Sequence, residues 1–188
     1  MLTDREIIST LEMLKNEHLD VRTVTLGINL LDCASHDASK LKNKIQTRIM
    51  HFAENLVHHC DRIGRKYGIP VVNKRIAVSP IAVVGAAMSS SHMVDIAKTL
   101  DEVAQNVNVD FIGGFSALVE KGVARGDRAL IEAIPPAMTA TERVCASVNV
   151  ASTRAGINMD AVLLMGKAIK HAAQLTADKD GLACAKLC

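Results

Sequence analysis

Four segments rich in β-branched residues, each feeding a run with helical spacing, set the pattern of this chain: Val21 to Asn29, Val71 to Val78, Val109 to Ile112 and Arg143 to Val150. Side chains of a strand point alternately to opposite faces. The last segment therefore sets Val144, Ala146, Val148 and Val150 against Cys145, Ser147 and Asn149. The first separates Val24, Leu26 and Ile28 from Thr23, Thr25, Gly27 and Asn29. The second opposes Val72, Ile76 and Val78 to Asn73 and Arg75, with Lys74 interrupting the apolar side. Each of these three strands has one face for packing and one that can hold a ligand. We expect the polar faces to converge on one cavity and the Val-rich faces to lie under helices.

Between the strands the period changes to that of helices. Thr3 and Glu6 have capping-box spacing ahead of a helix with Ile7, Leu11 and Leu14 on one face. The longest helix is expected from about Ala38 to Tyr67, its stripe formed by Leu41, Ile45, Ile49, Phe52, Leu56, Cys60 and Ile63, and Gly68 and Pro70 stop it. After the Ser89-Ser90-Ser91 cap region a helix from His92 to Val107 carries Met93, Ile96, Ala97, Leu100, Val103, Ala104 and Val107. Another runs from Asn158 to Ala173. Strands alternating with helices predict an α/β fold of parallel β-α units, and residues 1–188 read as one domain without a linker or strict repeat.

Composition narrows the classes. A chain of 188 residues that is 49% hydrophobic can bury a sizeable core. Twenty-two Lys and Arg stand against twenty Asp and Glu, scattered among one another, and three Phe, one Tyr and no Trp offer few stacking platforms, so nucleic acid is not an expected partner. The longest apolar run, Ile81 to Met88, falls far short of the roughly 20 residues of a membrane span. With no signal-peptide pattern at the N-terminus, the expected location is cytoplasmic. Five cysteines in no paired spacing point to reduced thiols rather than a disulfide or zinc framework.

The candidate chemistry is sparse. Gly113-Gly114-Phe115-Ser116 reads as a strand followed by the opening of a helix, where free N–H groups hold anions; the competing reading is a tight turn that needs glycine. Cys145 is the one candidate nucleophile, but no neighbouring His or Lys lowers its pKa, which favours an inert strand cysteine; Arg143 lies two residues away on its face. Asn73, Arg75, Ser147 and Asn149 are better suited to binding, since an arginine among amides and hydroxyls holds a carboxylate bidentately, although interstrand hydrogen bonds would use the same groups. His51, Asn55, His58 and His59 lie along one helix side, off the apolar stripe, and read as a solvated face; Cys184 and Cys188 lack further ligands and read as strand cysteines. No metal site and no particular cofactor is indicated.

The tail Gly181 to Cys188 turns apolar again as though another strand were beginning, so the chain is expected to be the front part of a longer α/β protein. The blocks RTVTLGINLLDC (Arg22 to Cys33), GIPVVNKRIAVSP (Gly68 to Pro80), VDFIGGFSALVEKG (Val109 to Gly122) and RVCASVNVASTRAGINMDAV (Arg143 to Val162) together resemble uncharacterised protein family 0210, a bacterial and archaeal family labelled pyruvate-formate-lyase-like. The likeness spans nearly the whole chain. It implies an α/β barrel related to the glycyl-radical enzymes, of which this chain would be an incomplete, N-terminal portion, and a homodimer. It does not imply radical chemistry, because neither the radical-bearing glycine loop nor a Cys-Cys pair is present.

Two function classes fit. One is an enzyme binding a small polar or anionic metabolite in the barrel through Asn73, Arg75, Ser147 and Asn149, with Cys145 as a participant. The other is a noncatalytic metabolite-binding or regulatory protein; a truncated product without activity is a third outcome. An enzyme needs a pKa-shifted group beside the ligand, whereas a binding module needs only complementary donors and acceptors.

Overall fold

The structure, a computed structural model, describes residues 3–16 and 20–188, apart from the side chain of Leu14. In chain order it comprises α1 (Asp4–Asn16), β1 (Val21–Ile28), α2 (Ala38–Ala53), α3 (Leu56–Tyr67), β2 (Val71–Val78), α4 (Ile81–Val84), α5 (Ser90–Asn106), β3 (Phe111–Leu118), α6 (Arg125–Ala140), β4 (Val144–Asn149), β5 (Ala151–Ser152), β6 (Gly156–Ile157) and α7 (Met159–Leu175). The first four strands form one parallel sheet in the order β1-β2-β3-β4, so every strand lies beside its neighbour in sequence. The fifth and sixth make a small antiparallel hairpin.

Burial fixes which face of the sheet points inward. Ile76, Ile112, Phe115, Ala117, Val144 and Ala146 are all within 2% of complete burial, packed with Ile45 and Ile49 of α2, Met93, Ile96 and Leu100 of α5, and Leu130 and Ile134 of α6. Each Val, Leu, Ile, Phe or Met among them contributes about 1.5–3 kcal/mol when fully removed from water, so a one-residue slip that turned this row outward would forfeit far more than any polar contact on the other side could return. Lys74, the residue that interrupts the apolar alternation, remains on this inward face and reaches Asp61 of α3 at 3.5 Å, with its side chain 20% exposed.

The helix starts follow local side-chain chemistry. Asp37 caps α2 by accepting from the N–H groups of Ser39 (2.8 Å) and Lys40 (3.0 Å), and those bonds hold its carboxyl below the ordinary range. Ser89 caps α5 and Asn158 caps α7 in the same manner. The capping box of α1 is present, with Thr3 N–H donating to Glu6 at 2.7 Å, but Ile7 and Leu11 of that helix are about half exposed.

Three expectations are corrected. The single helix from Ala38 to Tyr67 is two helices, separated at Glu54 and Asn55. The break moves Ala53 into the core and leaves Phe52 54% and Ile63 50% exposed. The strand expected over Val109 to Ile112 begins at Phe111 and runs through Gly113, Gly114 and Ser116 to Leu118, so no helix opens there; α6 starts at Arg125. A bulge at Gly113/Phe115 and the φ of +116° at Gly114 keep the strand in its ladder. A Cβ on Gly114 would lie 2.5 Å from the Val78 carbonyl oxygen, which is why glycine is needed. Finally, Cys184 belongs to a 3-10 turn, Leu182–Lys186, rather than a strand; only Leu187 and Cys188 extend along β4, with Cys188 N–H donating to the Ala146 carbonyl at 2.9 Å.

Candidate functional site

The outward face of the sheet is built by the residues that alternate with the core row. Across the register, Thr25 stands beside Arg75 and Arg75 beside Phe111; the next row runs Gly27, Ala77, Gly113, Cys145; beyond it Ser116 pairs with Ser147 and Leu118 with Asn149. Thr25, Arg75, Ala77, Ser147 and Asn149 are exposed, and Cys145 is half-buried. The expected convergence of polar residues on one face is therefore present, but the face is open to solvent rather than closed into a cavity. Its middle row carries almost no side-chain bulk: a Cβ placed on Gly27 or Gly113 would meet nothing within 4 Å. The result is a shallow trough with a guanidinium on one bank and hydroxyls on the other.

The predicted residues differ in how free they are. Arg75 has its guanidinium carbon 5.2 Å from the centre of the Phe111 ring and, among the described residues, no carboxylate within ion-pair reach. Asn73 instead donates to the Arg22 carbonyl of β1 at 3.1 Å, so its amide is spent between strands. Ser116 bonds back to the Gly114 carbonyl at 3.3 Å, and Gly114 itself lies against Val78. Burial raises the Cys145 thiol above the ordinary 9.0, while Arg75 and Lys186 act in the opposite direction. Arg143 is not available to it: its guanidinium donates to the Val109 carbonyl at 2.8 Å, beyond the end of α5. Lys186 is likewise engaged, donating to Met138 and Thr141 carbonyls at the end of α6, and burial lowers its pKa.

His51, His58 and His59 are exposed, and among the described residues no three His, Cys, Asp or Glu side chains are grouped for a metal. His51 instead lines a groove of about 540 Å³ with Lys44, Phe52 and the Arg48–Asp32 ion pair. Among the described residues no helix is long and apolar enough to cross a membrane.

A second groove lies at the carboxyl end of β3, and the sequence pattern does not reveal it because that pattern ends the strand at Ile112, well short of Leu118. It is an open groove of about 470 Å³ lined by Glu120, Lys121, Gly122, Val123, Arg128, Asn158, Asp160 and Leu164. Asn158 fastens its walls, donating from Nδ2 to the Val119 carbonyl at 2.7 Å and from its N–H to the Val150 carbonyl at 2.9 Å. The signal that could have found it is general: loops after parallel strands carry ligand sites, and Glu120 and Lys121 open that loop.

Comparison with known proteins places this geometry in context. The family described as Uncharacterised ACR (DUF711) matches residues 12–188. A protein of Syntrophobacter fumaroxidans named UPF0210 protein is 67% identical over 188 residues, covering 100% of this chain and 41% of that protein. Proteins of the same name from Oleidesulfovibrio alaskensis and Methanosarcina mazei are 62% and 52% identical over 187 residues, again with 41% of their own length covered. The chain thus spans about two fifths of the length of the curated relatives it matches.

Proposed function

The chain belongs to the Uncharacterised ACR (DUF711) family, and we propose that within it the outward face of the sheet binds a small polar or anionic metabolite, without glycyl-radical chemistry. The observation that carries this reading is Arg75: an exposed guanidinium backed by the Phe111 ring, without an acidic partner among the described residues, at the rim of a trough floored by Gly27, Ala77, Gly113 and the half-buried Cys145. A planar fork of donors in that position suits a carboxylate or phosphate, and Ser147 and Asn149 supply neutral donors across the trough. The raised pKa of Cys145 keeps its thiol protonated near neutral pH, which supports binding over nucleophilic catalysis on this face.

The same proposal includes the larger architecture. Consecutive strand order with the core on one face only is the arrangement of a barrel wall, so the sheet is read as one part of a pyruvate-formate-lyase-like barrel whose lumen the polar face would line, in a homodimer. Calorimetric titration with inorganic phosphate and a series of mono- and dicarboxylates tests the binding. Arg75→Ala should weaken the tightest of them by about tenfold or more, and Lys74→Ala should leave it unchanged, because neighbouring strand residues face opposite ways. Equal losses from the two variants would make the arginine structural and remove the proposal.

A further inference from the structure

We propose that two copies of this chain pair by exchanging α1, the apolar and acidic side of that helix from each copy seated on the exposed apolar and basic side of α3 in the other. The starting point is a helix without a partner. No described side chain of α1 is buried, and Ile7, Ile8 and Leu11 are 45%, 56% and 50% exposed. A helix of 13 residues is marginal in water on its own, because packing of its apolar face supplies most of a helix's stability. α1 therefore needs a surface to lie on.

α3 offers a matching one. Ile63 and Tyr67, neighbours one turn apart, are 50% and 54% exposed and line a groove of about 500 Å³ with Arg62 and Lys66. The charges on the two helices run opposite. α1 holds the acids Asp4, Glu6 and Glu12 against two bases, whereas α3 holds Arg62, Arg65 and Lys66 against the one acid Asp61. Asp4 and Glu12 stand one turn to either side of Ile8, Arg62 and Lys66 flank Ile63, and among the described residues none of these four charges is in an ion pair. Pairing α1 with α1 would set acid against acid, and α3 with α3 base against base. Only α1 on α3 brings opposite charges together as well as apolar side chains.

The positions of the two helices suit a two-fold exchange. The first N–H of β1, at Val21, donates to the Pro70 carbonyl at 3.1 Å, so α1, which ends at Asn16, is tethered at the end of the sheet where α3 stops at Tyr67. Both surfaces thus meet at one end of the molecule, and a two-fold axis there gathers both contacts into a single patch. Exchange of an identical element is a low-cost route to a dimer, because each copy receives the contact it gives. The inference supplies a surface for the homodimer proposed above and rests on that part of the reading alone; neither metabolite binding nor the barrel enters it.

Sedimentation velocity over a range of protein concentrations tests the exchange, using the parent, Leu11→Glu, Ile63→Glu and an equimolar mixture of the two variants. The parent should form a dimer that dissociates on dilution. Both substituted side chains are half exposed, so each variant should keep the circular dichroism and denaturant midpoint that the parent shows when dilute. Either variant alone spoils both contacts of a pair and should weaken dimerisation about hundredfold, about tenfold for each contact. In the mixture the intact α1 of the Ile63→Glu chain meets the intact α3 of the Leu11→Glu chain, so one contact returns and the two should associate about tenfold more tightly than either does with itself. Arg75→Ala should dimerise as the parent does. A parent that stays monomeric up to about 1 mM would overturn this inference and the homodimer together. A dimer indifferent to both variants would overturn the exchange alone, and so would variants that dissociate and are not restored by mixing, a result that puts α1 on the α3 of its own chain.

Discussion

The two faces of the one sheet contrast sharply. On the inward face Ile76, Ile112, Phe115, Val144 and Ala146 are almost wholly buried, although Val72 at the start of β2, expected under a helix, is 45% exposed; on the outward face Thr25, Arg75, Ser147 and Asn149 stand in solvent. Adjacent positions therefore carry separate burdens: one row holds the fold together and the next is free to vary its chemistry. Stability experiments should respond to parity along the strand more than to the nature of the residue replaced.

The largest effect is expected at Phe115, which is completely buried. Phe115→Ala should lower stability by about 3–5 kcal/mol in denaturant titration, through lost transfer energy and the cavity left behind. Arg75→Ala, on the other face, should stay within about 0.5 kcal/mol of the parent. Gly114→Ala comes next, at roughly 3 kcal/mol, because the new Cβ meets the Val78 backbone and the residue must hold an unfavourable φ. A Gly113→Ala change, one residue away where there is open space, should cost much less.

Lys74 sharpens the contrast from inside the core row. Lys74→Ala should cost about 1 kcal/mol, since its partner Asp61 is half exposed and solvent screens the pair from that side. Lys74→Met should recover that loss by keeping the packed stem and removing the charge. The smallest effect is chemical. With its pKa raised, Cys145 should alkylate slowly at pH 7 to 8, and its rate should keep rising with pH past the ordinary thiol value of 9.0 instead of levelling off there. Arg75→Ala removes the guanidinium that favours the thiolate, so it should slow the reaction further at a given pH. A faster reaction in that variant would mean that arginine shields the sulfur rather than polarising it.

Much of the inward row was legible because alternation and 3.6-residue spacing report burial directly. Met93, Ile96, Leu100 and Val103 of α5 are all buried as their spacing predicts, and β4 has the two faces read from its sequence. What was not legible depended on partners distant in sequence. No proline or glycine marks the break at Glu54 and Asn55; it arises where α2, packed on α5, gives way to α3, packed on β2. The pair Gly113-Gly114 looked like a turn because glycine ends strands locally, and only the close approach of Val78 explains why it lies inside one. The candidate residues fared unevenly for the same reason. Arg75, Ser147 and Asn149 needed only strand parity to be placed on one face, whereas Glu120 could be found only once the true end of β3 was known.

Strand order has a meaning in time as well as in space. Because β1, β2, β3 and β4 are neighbours in the order in which they are made, each can join a finished edge as it leaves the ribosome, with no need to insert between strands already paired. Growth of this kind needs only one loop closure per added strand, which keeps each step local. The cost is that, besides the edge of β1, the nascent sheet offers a growing unpaired edge, first β2, then β3, then β4. A pause in synthesis after any of these strands would hold that edge open for as long as the pause lasts.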